Sequence, residues 1–531
     1  MSAEQRLSEA TNSLKVLGLG KERIFILGYG DGSMNIPGHD RPEHVFCSGE
    51  TPITSPAGHS ETYGAAGLQD FAFIARGVHS AYCGNNYRQD LKELILTVKA
   101  DIIIATDFDV HQDHRMLSLS FDTVMGEILS RPGNDYFPEV FRRFAYCTAY
   151  HAKPDLFDSD FILSTAKPEE ETSQGLIDTS YYTWPERVRF PVPEKSREPY
   201  ARNILTKAIN QHKSQNKIYI AFARAEGIIN SDEVFWRRRT DSLSFSAKVT
   251  ATSGNPAHAH DFRLFNVSDI FSRTPKRENY LWIPDEDDNA KELIFTWDSP
   301  QEISQAKLWG NIDGVPVQRV SITMDSGYNC EVGPLPEKGL PLTLNIPAQK
   351  GVRECRVKIL SQGSKESGLA EIEFFAENEQ PPVVKPFIQI MTGGNFVYIY
   401  PRKPDEIIVP AECYAYRCDE AVKYSVEGPA SFDGENLRFE PGNNDDVVLT
   451  AETESGIYCR SVFRAVSMKD IMKARKIRAR EKRRIRFAVF TYPARKRILK
   501  YMTTLRKGPA YLLKRLAEKV AGKIRKMTAG R

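Results

Sequence analysis

The sequence predicts a multidomain protein: a doubly wound, Rossmann-like α/β unit, then two all-β sandwiches, then a basic helical tail. Three observations carry this reading. Up to residue 240, short apolar runs alternate with stretches of helical spacing. Near Thr240 the texture changes to period-two alternation punctuated by turn residues. From Met468 onward the chain becomes strongly basic. At 531 residues it is too long for one core, because single domains run to about 100–200 residues.

The first unit spans residues 1–240. RLSEATNSLKVLGLG places Leu7, Ala10, Leu14 and Leu17 at helical spacing, with Gly18 and Gly20 closing the helix. Arg23–Tyr29 (RIFILGY) is a nearly continuous apolar run, as in a buried parallel strand. Leu91–Lys99 is helical, Ala100–Phe108 (ADIIIATDF) is a second buried strand, and Arg115–Leu129 is helical again. Phe144–Tyr150 reads as a third strand and Arg197–Gln215 as a long amphipathic helix. Between Asn35 and Gly84 lies a long segment rich in Gly, Pro and Ser that carries four histidines, which suits a lid or a site wall.

The second unit, residues 241–378, alternates through SLSFSAKVTAT, ELIFTWDS, VQRVSITMD, VRECRVKIL and LAEIEFFAE, the pattern of a sandwich. Pro381–Pro382 marks a linker. Residues 383–467 are again short strands with turns, and their number suits an immunoglobulin-like module. Residues 468–531 form the tail. It holds 23 Lys and Arg against 3 Asp and Glu, a net of +20, while the preceding 467 residues carry a net of −17. In Gly508–Met527, Leu512, Leu516, Val520, Ile524 and Met527 make one apolar stripe, flanked by Lys514, Arg515, Lys519, Lys523 and Arg525. Such a basic amphipathic helix suits an anionic membrane surface, where each cation contributes ~1 kcal/mol. A solvated charged helix is the plainer reading. An anionic membrane, rather than nucleic acid, is the expected partner.

The composition, 41% hydrophobic and 27% charged, excludes a wholly disordered or fibrous chain. No run approaches the ~18 apolar residues needed to span a bilayer. The N-terminus lacks a basic segment followed by an apolar one, so we expect no secretory signal and a place on the cytoplasmic face of a membrane. A missing N-terminal segment carrying an export signal would make the chain extracellular. Eight cysteines occur without a CxxC pair, and buried free thiols are expected of most.

The sharpest local signal is DFDVHQDHR, with Asp107, Asp109, His111, Asp113, His114 and Arg115 directly after the apolar strand. In open α/β sheets ligands bind at the carboxyl ends of strands, and histidine is the commonest metal ligand at neutral pH. A neighbouring carboxylate fixes a histidine's tautomer and raises its basicity. The plainer reading is a polar loop capping the next helix, with Asp113 near its N-terminus.

Four pieces in order resemble the PIG-L/LmbE-type N-acetylglucosamine deacetylases: RLSE with its helix, FILGYGDG (Phe25–Gly32), the D-x-H-x-D-H element (Asp109–His114), and K-A-I-N-Q-H-x-S-Q (Lys207–Gln215). EVFWR (Glu233–Arg237) fits the family's end. The resemblance covers the first ~240 residues and implies a zinc-dependent amidase that removes N-acetyl groups from N-acetylglucosamine-type sugars in surface-glycan or glycolipid assembly. His114 would be a zinc ligand, and His111 would polarise the amide carbonyl and serve the oxyanion. Asp113 would support the site as a carboxylate behind the ligands. Arg6 and Asp31 would contact substrate. Zinc would lower the pKa of bound water towards ~7. The family's A-H-P-D-D-E motif, which supplies the other zinc ligands and the base, is absent from this chain. We therefore expect an N-terminally shortened copy with an incomplete site.

Residues 242–377 resemble a discoidin-like, galactose-binding-like sandwich in the order of YLWIPDE, ELIFTWDSPQEISQAKLWGN, SITMDSG, VRECRVKIL and LAEIEFF. Such modules bind glycans through exposed loops, with aromatic rings stacking on sugar faces. Trp236, Trp282 and Trp297 are the candidates, against the plainer reading that each is a core residue. The rival to the deacetylase is thus a non-catalytic glycan-binding or scaffold protein tethered to an anionic membrane.

Overall fold

The computed structural model describes residues 3–30, 50–55, 58–107, 112–143, 186–191, 204–214, 232–264, 280–312, 314–377, 383–392, 398–399, 407–441 and 445–465, plus isolated positions between 476 and 491. The apolar stripe of the basic tail and the expected strand Phe144–Tyr150 lie outside these residues.

In the first unit, α1 (Ala3–Val16), α2 (Phe71–Arg76), α3 (Gly84–Val98) and α4 (Gln112–Leu129) precede a short α5 (Ile204–Ile209). The sheet contains β1 (Ile102–Thr106), β2 (Glu139–Arg143), β3 (Val188–Pro191) and β4 (Asp232–Arg238) in the order β1-β2-β4-β3. β1 and β2 run parallel, joined through α4, while β4 is antiparallel to both β2 and β3. The described sheet is therefore mixed, with one β-α-β crossover, where a doubly wound α/β sheet was expected. α3 keeps Tyr87, Leu91 and Ile95 on one buried face at i, i+4, i+8 and ends where Lys99 adopts a left-handed conformation. Leu91 and Ile95 join Phe121, Val124, Met125 and Ile128 of α4 and Val140 of β2 in one core, while Tyr87 packs against Leu27, Tyr29 and Ile53.

Two expectations need correction. RIFILGY is not a regular strand: only Ile26 makes a bridge, parallel to Asp70, and Phe25 is exposed. The long helix expected over Arg197–Gln215 is described only as α5, followed by turns to Ser214.

The second unit is the sandwich. β5 (Lys248–Ala251), β6 (Glu292–Trp309), β7 (Arg319–Met324), β8 (Asn329–Val332), β9 (Leu342–Ser361) and β10 (Glu371–Phe375) make up one continuous hydrogen-bonded set. The long strands β6 and β9 pair antiparallel twice, either side of register shifts between Thr296 and Gln305. Their first pairing joins β5 and β7, and their second joins β10. Bulged strands that turn from one layer into the other are how a sandwich closes its corners. Leu293, Phe295, Leu308, Ile322, Val357 and Phe374 fill the gap between the layers.

The third unit has two four-stranded sheets. One is β11 (Phe387–Thr392), β13 (Ile407–Tyr416), β16 (Asn436–Phe439) and β15 (Ala430–Phe432). The other is β12 (Tyr398–Ile399), β18 (Tyr458–Ala465), β17 (Val447–Thr453) and β14 (Val422–Glu427). Ile388, Ile390, Leu437, Leu449 and Phe463 lie between them.

The three units pack on one another. Phe245 and Phe262, from the start of the sandwich, complete the core over α4, and the backbone carbonyl of Asp261 lies directly against Gly126. Arg238 stacks on Phe262, 3.8 Å from the ring centre, and donates to the Phe262 carbonyl at 2.7 Å. On the other side, Phe141, Val188 and Phe235 pack against Phe387, Tyr414 and Tyr416 of the third unit.

Candidate functional site

The end of β1 leads into the cluster singled out by sequence. Asp107 is buried, and its backbone amide still pairs with Arg143 at 2.8 Å. Its Oδ1 accepts from Arg142 at 3.0 Å and from Ser118 at 3.2 Å. Arg142 also donates to Asp122 Oδ1 at 3.1 Å, hydrogen-bonds Ser118, and lies over the Phe121 ring. Burial pushes Asp122 up to about 6, although Arg142 and Arg238 pull it down. A buried guanidinium shared by two carboxylates ties the carboxyl end of β1 to α4 and β2, a polar floor for this end of the sheet.

Above that floor, Asp113 and His114 occupy the first turn of α4, both half-buried. His114 is four residues before Ser118, so it stands one turn above the residue that holds Asp107. His111, Asp109 and Asp31 lie outside the described residues. Arg6 is on α1, which packs against α5. There Glu9 accepts from the backbone amide of Ser214 at 2.8 Å and from its hydroxyl at 2.6 Å. Burial acts to raise the Glu9 carboxyl, but the bonds from Ser214 outweigh it and hold the group below its ordinary value. Burial lowers the neighbouring His212, and the Arg6 cation lowers it further, against the pull of Glu9. Two motifs some 200 residues apart, R-L-S-E and H-K-S-Q, thus meet in one cluster.

Among the described residues no group of three or more His, Cys, Asp or Glu is gathered to hold a metal ion. A catalytic zinc needs about three protein ligands, so the described residues do not make the implied site.

Sequence reasoning passed over two groups. Arg142 interrupts an apolar strand (EVFRRFAY), and a charge at that position in a buried strand was the available signal. His79, treated as one loop histidine among several, has Nδ1 2.8 Å from Oδ2 of the fully buried Asp70. Asp70 also accepts from Thr62 at 2.8 Å and caps α2 through the Phe73 amide.

In the sandwich, Trp282 and Trp297 are buried, with their indole nitrogens donating to the carbonyls of Ser253 and Leu243 at 2.9 Å each. Trp236 is buried in β4. These three rings are core residues. The organised polar surface lies instead where four loops meet. Asp288 accepts from the Thr252 and Ser253 hydroxyls and from the amides of Ala290 and Lys291, and those bonds depress its pKa strongly. Ser253 in turn accepts from the Asp285 amide at 2.9 Å. Asn311 donates to the Glu366 carbonyl at 3.0 Å and accepts from the Gly368 amide at 2.9 Å. Lys291 reaches Gln362 at 3.1 Å, and Ser367 donates to the Val315 carbonyl at 2.6 Å. Loops 252–255, 282–291, 310–318 and 362–368 are thereby tied into one end of the sandwich.

No family model and no curated protein matches the chain. Comparison with solved structures finds matches over part of the chain. The family 32 CBM of Clostridium perfringens NanJ, in complex with galactose, is 18% identical, and the match covers 24% of this chain and 92% of that one at a TM-score of 0.19. An F5/8 type C domain from Bacteroides fragilis is 13% identical over 24% of this chain and 91% of its own, also at 0.19. Discoidin II of Dictyostelium discoideum is 14% identical over 36% of this chain and 87% of its own, at 0.19. Scores this low establish no shared activity.

Proposed function

We propose that this chain is a glycan-binding protein whose 242–377 sandwich holds carbohydrate at its tied loop end, with the basic tail docking it on an anionic membrane. The loop end supports the reading. Sugar hydroxyls are recognised by hydrogen-bonding groups fixed before the ligand arrives, because ordering a side chain on binding costs ~0.5–1.5 kcal/mol. Asp288 and Ser253 are already held by neighbouring loops, the buried Asn311 and Ser367 brace the same loop end, and Asp285, Glu286, Asp287 and Lys365 stand exposed on it. Since the candidate tryptophans are core residues, affinity would come from polar contacts. A single sugar should bind with a Kd on the order of 1 mM, with avidity from multivalent display.

The test is a glycan array on the full chain, followed by calorimetry with galactose, N-acetylgalactosamine and N-acetylglucosamine. Saturable binding that the paired substitution D285A/K365A weakens at least tenfold, with the melting temperature unchanged, supports the reading. Binding to no glycan, or binding indifferent to that pair, overturns it. Liposome co-sedimentation tests the tail: binding should need anionic lipid and fall as salt rises.

A second reading, an N-deacetylase of acetamido sugars, is favoured by the place of Asp113 and His114 at the carboxyl end of β1. Stoichiometric zinc in the purified chain, together with amine release from an N-acetylglucosaminyl substrate, would support it.

A further inference from the structure

We propose that the joint between the first unit and the sandwich is a proton-gated latch: a proton held on the Glu371 carboxyl keeps Phe262 seated across the joint, and loss of that proton releases it. Glu371 and Glu373 lie at i and i+2 on β10 and share one face of the strand, while Ile372 and Phe374 on the other face fill the sandwich core. β10 ends its sheet, yet all five of its residues are buried. The glutamate face is covered by the Phe262 segment and by Arg238 of β4. The Phe262 amide donates to Glu371 Oε2 at 3.1 Å, and Arg238 reaches Glu373 Oε1 at 3.5 Å. Arg238 also donates to the Phe262 carbonyl at 2.7 Å. The Phe262 backbone is therefore gripped at its amide from β10 and at its carbonyl from β4, while its ring sits in the core over α4. Phe262 is held at φ +67°, a conformation that bulky side chains avoid. The two bonds keep a strained residue in place.

The charges around the latch leave one carboxyl over. Arg239 is committed to Asp241, Arg263 faces Asp261 at 3.7 Å, and Asp122 of α4 is held by Arg142. Glu373 has Arg238 beside it and Lys307 opposite it on β6. Glu371, with no exposure at all, has one amide donor for Oε2, and Oε1 has no hydrogen-bond partner among the described residues. A second carboxylate about 7 Å along the same dry strand face is disfavoured, so Glu371 is the group that keeps its proton. Burial, with Asp261 and Glu373 nearby, raises it well above the usual carboxyl range, against the pull of Arg238 and the Phe262 amide. Two histidines lie on the same segment. His258 stands 3.8 Å from Asp261, and burial lowers His260, so His260 is uncharged above about pH 6.5 and alkaline release does not run through it.

A carboxyl raised by folding contributes its stability in full below its ordinary value and loses it as pH rises through the folded one. Ionised, Glu371 would add a buried negative charge beside Glu373 with no cation of its own. The least costly answer is to let water in between β10 and the Phe262 segment. That breaks the amide bond, and the strain at Phe262 favours its leaving.

The experiment is hydrogen exchange on the full chain from about pH 6.5 to about pH 9.5, read as the protection factor of the Phe262 amide against the unfolded sequence at each pH. Protection at Phe262 should fall at least tenfold with rising pH, while the β6 amides of Leu293 and Phe295 keep theirs. The infrared band of a protonated carboxyl should disappear in step with that fall. E371Q has no proton to lose and keeps an oxygen for the Phe262 amide, so its protection there should stay constant within twofold. Unchanged protection in the unsubstituted chain, a fall that E371Q shares, or a fall at Leu293 and Phe295 as well would overturn the proposal. Where E371Q does not fold, the infrared titration of the unsubstituted chain decides: release with no carboxyl band lost would overturn it equally.

Discussion

Arg142 and its two aspartates are where single residues weigh most. Asp122 has its pKa raised by burial from 3.8 to about 6, so the folded chain holds that proton more tightly than the unfolded chain does. Its contribution to stability is therefore complete below about pH 4, falls as pH rises, and is lost above about pH 6. Two units correspond to roughly 3 kcal/mol. D122N removes the titration while keeping an acceptor for Arg142. The melting temperature of D122N minus that of the unsubstituted chain should rise between pH 4 and 6 and then level off, and a flat difference would count against this account. The DFDVHQDHR cluster was legible because it is local, six charged or ligating residues after an apolar run. That Asp107 belongs to the floor was not legible, because its partners Ser118 and Arg142, and the Asp122 that shares Arg142, come from the next helix and strand. The cluster formed by Arg6, Glu9, His212 and Ser214 was likewise hidden by some 200 residues of separation.

At the scale of elements, α1, α3, β1 and α4 were legible because their apolar period is set by neighbours along the chain. RIFILGY failed for the complementary reason. Its apolar run says nothing about which backbone it will pair with, and its partner is the single residue Asp70. Gly28 then turns the chain at φ +77°, where a side chain would strike Asp70 and the Tyr63 backbone. Gly126 in α4 makes the same point within a helix. Alanine there would gain about 1 kcal/mol of helix propensity, but its methyl would fall on the Asp261 carbonyl. Overpacking against backbone costs about 1–3 kcal/mol, so the clash wins. G126A should lower the midpoint of urea unfolding, and a raised midpoint would show that α4 can slide away from the sandwich.

For the whole molecule, the change of texture near Thr240 marks a boundary in sequence but not in energy. Phe245 and Phe262 follow that boundary, yet they complete the core built by α3 and α4. The amide of Phe262 donates to the buried Glu371 at 3.1 Å, and its ring carries Arg238, which also reaches Glu373 at 3.5 Å. Burial raises both glutamates, so the polar side of this joint is costly and depends on the packing around it. The third unit is fixed in the same way, through Val384 to Glu139 at 2.8 Å and Phe190 stacked on Phe387. A chain joined through shared cores should unfold as one body even though its sequence reads as separate modules. Removing a buried phenylalanine costs about 3–5 kcal/mol, and here the loss falls on two units at once. Scanning calorimetry of the full chain should give one dominant transition. F262A should lower it and split off a separate transition for the sandwich. If F262A shifts a single peak without splitting it, the joint is held elsewhere. If the unsubstituted chain already melts in independent steps, the units are not one cooperative body.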